Sequence, residues 1–164
     1  MSDELPGGVP DGRHLHNGWE IPSEGYCDQP YVVKTDDGAW LCIMTTGTGH
    51  EGASGQHVVS TRSTDCGRTW SPLVDVEPAD GPEASYAVLL KVPSGRVYAF
   101  YNHNTDDVRR VKADNPPYAD GYCTRVDSLG HFVFKCSDDH GLSWSAKRYD
   151  VPVREMEIDR QNAD

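Results

Sequence analysis

The sequence of 164 residues lacks the features of a membrane, nucleic-acid-binding or zinc-binding chain. It has no apolar run long enough to span a bilayer and no signal-peptide core over residues 1–18. Lys and Arg number 15 against 26 Asp and Glu, and a net charge of −11 repels nucleic-acid phosphates and anionic membranes. No Cys-x-x-Cys pair or Cys/His spacing indicates zinc. The composition predicts no nucleic-acid partner, no membrane partner, no metal and no other cofactor. The compartment stays open, with a secreted or periplasmic location as one option.

A long helical hydrophobic period is also absent. Short apolar segments alternate instead with turn residues, which are supplied by 16 Gly and 11 Pro. The pattern predicts an all-β fold.

One short motif occurs twice, at residues 63–70 and 137–144. Both copies read Ser-x-Asp-x-Gly-x-Thr/Ser-Trp and are followed by Ser. Ser and Asp bond nearby backbone, Gly accepts a positive φ, and Trp packs the turn onto an apolar layer. We therefore predict a structural role for the fixed positions of both motifs, which are Ser63, Asp65, Gly67, Trp70, Ser137, Asp139, Gly141 and Trp144.

The flanking sequence repeats as well. Residues 32–44 align without gaps on residues 89–101 at an offset of 57, and each stretch reads as a hairpin of two apolar strands. Residues 57–62 and 131–136 form a third strand before each motif, at an offset of 74. The second copy therefore carries an insertion of 17 residues between its second and third strands.

At these residues the sequence resembles the sialidase-like Asp-box proteins, also called bacterial neuraminidase repeat proteins, whose repeats are four-stranded blades of a β-propeller. The resemblance extends from about Gly25 to Trp144. It implies two antiparallel blades, at residues 25–80 and 81–150, with an insertion at residues 103–127. Residues 1–24 precede them, and residues 151–164 enter a third blade or form a tail. Because the family closes with six blades, the remaining blades are expected in a longer chain or in further copies of this one.

Four loops share the end of the blades that lines the central pocket in this family. They are rich in His, Glu, Asn and Tyr and lie at residues 24–30, 49–57, 82–86 and 102–110. Such a concentration of polar groups at one end indicates a binding site, and the resemblance implies a carbohydrate substrate.

Glycoside hydrolysis requires an acid for the leaving oxygen and a nucleophile or base opposite it. Glu51 and His50 occupy the loop that carries the acid in sialidases, and Glu83 lies on the corresponding end of the second blade. Asp28 stands where sialidases have an arginine that binds the substrate carboxylate. Since an aspartate repels that carboxylate, these four residues are predicted as catalytic in an enzyme that is not specific for sialic acid.

Six further residues are predicted to contact the substrate: Gln29, Tyr26, Tyr86, Asn102, His103 and Arg109. Of the adjacent Arg109 and Arg110, at most one is expected to point into the pocket, because neighbouring side chains of an extended segment point to opposite sides. Residues 115–118 of the insertion read as a lid.

The favoured function is an exo-acting glycoside hydrolase. The first alternative is a glycan-binding propeller without catalysis, in which Trp19, Tyr26 and Tyr86 stack on sugar rings. A second alternative is a polysaccharide lyase.

Five cysteines leave at least one unpaired. If residues 128–130 form a hairpin turn, Cys123 and Cys136 face each other, either as a disulfide or as two thiols.

Overall fold

The computed structural model describes residues 4, 5, 7–113, 120–125, 127 and 129–161. The regular structure of these residues is mostly β-strand, with a short 3₁₀ helix at Leu15–Asn17 and an α-helix, α1, at Glu157–Gln161. The strands in chain order are β1 (Glu4–Leu5), β2 (Val9–Pro10), β3 (Tyr26–Lys34), β4 (Trp40–Gly47), β5 (His57–Ser63), β6 (Val74–Asp75), β7 (Ala84–Lys91), β8 (Val97–His103), β9 (Val111–Lys112), β10 (Tyr122–Cys123), β11 (His131–Ser137) and β12 (Tyr149–Asp150). The described part of the chain has no helix with the length and apolar character needed to cross a membrane.

Two four-stranded antiparallel sheets form the body of the molecule, and this confirms that part of the sequence-based prediction. Sheet I has the order β3-β4-β5-β6, and sheet II has the order β7-β8-β11-β12. Each sheet is a simple meander, because the consecutive strands of each repeat are neighbours. The described residues do not form a closed propeller, and their fold is consistent with a propeller-like fragment.

The core lies between the two sheets. Sheet I contributes Leu41, Ile43 and Val58, which are fully buried. Sheet II contributes Ala84, Ala87, Leu89, Val97, Ala99, Tyr101 and Val133. Trp144 packs against this core and its indole Nε1 donates to Ser60 Oγ at 2.9 Å, so the second motif ties sheet II to sheet I. Gly141 lies so close to Leu41 that a Cβ there would be 2.4 Å from Leu41 Cδ1.

Both motif turns are held by the same local hydrogen bonds. Ser63 Oγ accepts from the Gly67 amide at 2.8 Å and donates to Asp65 at 2.8 Å, while Asp65 accepts from the Thr69 amide at 2.9 Å. The second turn repeats these contacts at 2.8, 2.7 and 2.9 Å. The turns therefore need no ligand to be stable. Their tryptophans, Trp70 and Trp144, are half-buried rather than enclosed.

The predicted hairpin that places Cys123 opposite Cys136 is wrong. Cys136 lies opposite Tyr98, because β11 pairs with β8 along its whole length and with β12 on its other edge. No edge of β11 is left for β10, which pairs with β9 within the insertion, where Cys123 lies opposite Val111. The five cysteines are present as thiols rather than in disulfide bonds.

Candidate functional site

The two ends of the paired sheets differ in chemistry. At the end that carries the motif turns, Lys91 contacts Asp36 and Arg96 donates to Asp138 at 2.6 Å, so charged groups there form exposed ion pairs. The opposite end receives the start of β3, the loop between β4 and β5, the bulge of β7 and the insertion. This end holds most of the predicted site residues.

Six side chains at this second end form one connected group, which we call the Tyr86 cluster. Its members are Tyr26, Asp28, Glu51, Tyr86, Arg125 and Asp127. Sheet I supplies Tyr26 and Asp28 from β3, and the loop after β4 supplies Glu51. Sheet II supplies Tyr86, and the insertion supplies the last two. The cluster therefore spans both sheets.

Arg125 is the centre of the cluster. Its Nε lies 2.9 Å from Asp127 Oδ1, and its Nη2 donates to the Tyr86 hydroxyl at 2.9 Å and to Glu51 Oε1 at 2.5 Å. The Tyr86 hydroxyl donates in turn to Asp127. Because Glu51 Oε1 and the Tyr86 hydroxyl share one donor atom, they are at most about 5.4 Å apart. The hydrogen bond to Asp127 raises the pKa of Arg125 further, so its charge is permanent.

Both tyrosines of the cluster are held protonated. Burial, followed by the nearby carboxylate of Asp28, raises the pKa of Tyr26 to about 12, and Glu51 adds to the effect. Burial and the hydrogen bond to Asp127 raise the pKa of Tyr86, while Arg125 opposes the shift. If Tyr86 is to ionise, a base has to take its proton. Asp127, which already accepts a hydrogen bond from the Tyr86 hydroxyl, is that base.

A bulge places Tyr86 in this position. Ser85 lies opposite Asn102 and Val88 opposite Phe100, so Tyr86 and Ala87 together face one residue of β8. Tyr86 adopts a positive φ of 58°, which is unusual for a side chain of its size. The same bulge occurs in β3, where Gln29 has a φ of 48°.

Glu83 belongs to a separate ion-pair group. Its carboxylate, 3% exposed, accepts from Arg109 Nη1 at 2.5 Å, from the Gly55 amide at 3.1 Å and from Asn104 Nδ2 at 3.5 Å. Burial alone would raise the pKa of Glu83, but the bonds from Arg109 and from backbone amides outweigh it and lower the pKa. Glu83 and Arg109 thus neutralise each other beside the cluster. Arg110 points elsewhere and lies 3.4 Å from the centre of the Tyr122 ring.

His103 lies in the contact between the sheets rather than at an open rim. It is 3% exposed, its Nδ1 lies 2.9 Å from Thr105 Oγ1, and its Nε2 lies 3.9 Å from Glu77. Burial and the charge of Arg148 lower its pKa, so the ring is neutral at pH 7. Glu77 is the buried anion of this contact and also binds Tyr101, Lys135 and Arg148.

The remaining predicted residues lie around the cluster. Asn102 donates to the backbone carbonyls of Asp127 at 2.9 Å and Leu129 at 3.1 Å, and so anchors the segment that carries Asp127. His50 and Gln29 are exposed, and the His50 carbonyl accepts from Gln56. Trp19 lies near Arg68 of the first motif, at the other end of sheet I from Tyr26. The predicted lid at residues 115–118 lies outside the described residues.

Arg125 and Asp127 were missed by the sequence reasoning. Both lie in the insertion, which has no counterpart in the first repeat, so no internal comparison marked them. Within the described residues, no group of three His, Cys, Asp or Glu side chains is placed to hold a metal ion.

No protein-family model matches the sequence, and no curated protein matches it. Several solved structures share its fold, and two of them are these. "Hadza microbial sialidase Hz136" is 17% identical with a TM-score of 0.50, over 74% of this chain and 25% of its own. A protein of unknown function from Dyadobacter fermentans DSM 18053 is 18% identical with a TM-score of 0.53, over 79% of this chain and 37% of its own.

These similarities define a class of fold. The chain has a sialidase-like, all-β fold and spans about a quarter and somewhat over a third of the lengths of these two structures. At identities below one fifth the similarity concerns the fold alone, so an activity has to be argued from the Tyr86 cluster.

Proposed function

We propose that the two sheets are Asp-box blades of the sialidase-like type and that the Tyr86 cluster is the active site of an exo-acting glycoside hydrolase that is not specific for sialic acid. The observation that supports this proposal is the hydroxyl of Tyr86, which donates to Asp127 with Glu51 at most about 5.4 Å away. A nucleophile, its base and an acid are thereby within reach of one glycosidic bond. The sequence-based expectation of six blades in one ring stays a prediction.

The roles follow from the contacts. Tyr86 attacks the anomeric carbon while Asp127 takes up the phenolic proton, and Glu51 gives a proton to the leaving oxygen. Water then cleaves the tyrosyl–sugar bond with Glu51 as the base, and the departing Tyr86 oxygen takes its proton back from Asp127. The upper limit of about 5.4 Å leaves no room for a water between the two groups in the manner of inverting enzymes, whose carboxyl groups are about 6.5–9.5 Å apart, so we propose a retaining mechanism with a covalent intermediate. Tyr86 therefore receives a chemical role beyond the sugar stacking that its sequence position predicts.

Charge supports a substrate other than a sialoside. The cluster contains three carboxylates, Asp28, Glu51 and Asp127, and one guanidinium, so it is acidic. Arg125 already donates to Asp127, Glu51 and Tyr86, and a substrate carboxylate would have to displace these partners against the repulsion of Asp28. A neutral sugar need not displace the partners of Arg125 and is not repelled by Asp28. Asp28 can accept hydrogen bonds from its hydroxyl groups.

Glu83 is not given an acid role in this scheme. Its carboxylate is 3% exposed and its pKa is lowered, whereas a proton donor has to reach the substrate and hold its proton. His103 is buried away from the cluster and neutral, so it is not a substrate contact either.

A panel of aryl glycosides tests the proposal. Hydrolysis of a neutral glycoside is expected, with a loss of at least about 100-fold in kcat for Tyr86→Phe and for Glu51→Gln. Tyr122→Phe and Glu20→Gln serve as matched controls, because both side chains are exposed and lie outside the cluster. Efficient release from a sialoside would refute the substrate argument. Full activity of Tyr86→Phe would refute the nucleophile, and an unsaturated product would identify a lyase instead.

A further inference from the structure

Asn102, near the end of β8, ties the end of the insertion to sheet II. Its amide Nδ2 donates to the Asp127 carbonyl at 2.9 Å and to the Leu129 carbonyl at 3.1 Å. A side-chain amide has two N–H donors, and these two carbonyls occupy both of them. The amide nitrogen therefore has no N–H left for a sugar hydroxyl, so its role lies in holding the segment.

The segment that Asn102 binds carries two members of the Tyr86 cluster. Asp127, which is 3% exposed, accepts from the Tyr86 hydroxyl, and Arg125 precedes it by two residues. Among the described residues, the strands of the insertion, β9 and β10, pair with each other and not with sheet II. The hydrogen bonds from Asn102 to the backbone at Asp127 therefore bear directly on the contact between Asp127 and Tyr86.

The internal repeat shows how the backbone and the hydroxyl of Tyr86 are each held. At the offset of 57, Asn102 corresponds to Thr45 of β4. Thr45 Oγ1 accepts from the Tyr86 amide at 3.0 Å, so this repeat position of sheet I holds the backbone of Tyr86. A threonine hydroxyl donates one hydrogen bond, whereas the amide of Asn102 donates two and bridges two carbonyls. Asparagine therefore suits the repeat position in sheet II, where the insertion has to be held.

We propose that Asn102 is a positioning residue that holds Asp127 against the hydroxyl of Tyr86. A hydrogen bond weakens steeply with distance and angle, so a small movement of a released segment would break this contact. The catalytic consequence rests on the proposed function, because it requires Asp127 to be the base for Tyr86. The geometric role does not depend on that function, and the two can be measured separately.

The hydroxyl of Tyr86 reports on the contact without any substrate. Burial, followed by the hydrogen bond to Asp127, raises the pKa of Tyr86 above its ordinary value of 10, and the smaller effect of Arg125 opposes it. With carbon-13 at the ring carbon that bears the hydroxyl, an NMR titration follows this group, and Tyr86→Phe assigns its signal. Asn102→Ala and Asp127→Asn should both lower the pKa of Tyr86 toward 10, because the hydroxyl loses its contact with the carboxylate.

Steady-state kinetics on the neutral aryl glycoside test the catalytic consequence. Asn102→Ala should lower kcat by about 10- to 100-fold and change KM by less than about 2-fold, because a misplaced base affects the chemical step rather than binding. Asn17→Ala is the matched control. Asn17 is half-buried as well, and its Nδ2 donates to the Asp11 carbonyl at 3.0 Å, outside the Tyr86 cluster. Asn102→Thr keeps one donor and should lie between the wild type and Asn102→Ala.

Four results would overturn the proposal. They are an unchanged Tyr86 titration in Asn102→Ala, an unchanged titration in Asp127→Asn, equal effects of Asn102→Ala and Asn17→Ala, and a raised KM with unchanged kcat, which would make Asn102 a substrate contact. If the wild type hydrolyses no glycoside, the proposed function fails, but the titration still decides whether Asn102 positions Asp127: a lowered pKa supports it and an unchanged one refutes it. If circular dichroism shows that Asn102→Ala does not fold, Asn102→Thr is used for both measurements.

Discussion

The hydrogen bond between Trp144 and Ser60 can be measured because the chain contains its own control. Trp144 and Trp70 occupy the same motif position and are both half-buried. Trp144 Nε1 donates to Ser60 Oγ at 2.9 Å, whereas Trp70 Nε1 is buried without an acceptor in the described residues. Replacing each tryptophan by phenylalanine removes the same atoms, but only Trp144→Phe removes a hydrogen bond.

The expected difference follows from the usual energies of such bonds. A neutral hydrogen bond contributes about 1 kcal/mol net, so Trp144→Phe should lower the free energy of unfolding by about 1 kcal/mol more than Trp70→Phe. Trp70→Phe even removes an unsatisfied donor, which favours the folded state. Trp144→Ala should cost about 3 kcal/mol, the lower limit for a large aromatic residue, because the ring is half-exposed.

Urea unfolding followed by far-ultraviolet circular dichroism is the appropriate assay, since tryptophan fluorescence changes with the substitutions. A double-mutant cycle with Ser60→Ala separates the bond from the lost packing area, and a coupling energy of about 1 kcal/mol is expected. A coupling energy below about 0.3 kcal/mol, or equal destabilisation by Trp70→Phe and Trp144→Phe, would refute the claim that this bond joins the two sheets.

Two further predictions concern stability. In urea unfolding, Gly141→Ala should destabilise the protein by about 1–3 kcal/mol more than Gly38→Ala. Both glycines have a positive φ, but only a Cβ at position 141 would contact Leu41. Equal destabilisation by the two variants would contradict this packing. Glu83→Gln should cost about 2 kcal/mol at pH 7, with Glu20→Gln as an exposed control. Because the pKa of Glu83 is lowered on folding, its contribution is complete above its ordinary value of 4.5 and is lost as the pH falls through the lower folded value. The difference between wild type and Glu83→Gln should therefore shrink below pH 4.5, and a difference that grows there would exclude the ion pair as its cause.

The sheets could be predicted because their signals are local. All the polar contacts that define a motif turn, such as those of Ser63 and Asp65, lie within seven residues, and the hairpins repeat without gaps. Alternation along β8 also carried information that the sequence reasoning did not use. Val97, Ala99, Tyr101 and His103 share one side of the strand and are all buried, so the burial of His103 could have been found.

The partners within the site could not be predicted in the same way. Glu51, Tyr26 and Asp28 were expected at one end of the sheets and lie there, but the sequence does not show which guanidinium contacts which carboxylate. Glu83 meets Arg109 across 26 residues, and Glu51 meets Arg125 across 74. The path of the insertion decides both pairings, and its sequence has no period that fixes that path.

The position of Tyr86 joins the fold to the chemistry of the cluster. In a regular strand, consecutive side chains point to opposite sides of the sheet, so Tyr86 would point either into the core or away from it. The bulge adds one residue to β7, so Leu89 keeps its buried place while Tyr86 is free to bond Asp127. Gln29, at the same end of sheet I, has a strained positive φ as well. Both repeats carry the bulge, so it is a feature of the repeated sheet and not of Tyr86 alone. The nucleophile that we propose, Tyr86, therefore lies at a bulge position that Gln29 occupies in sheet I.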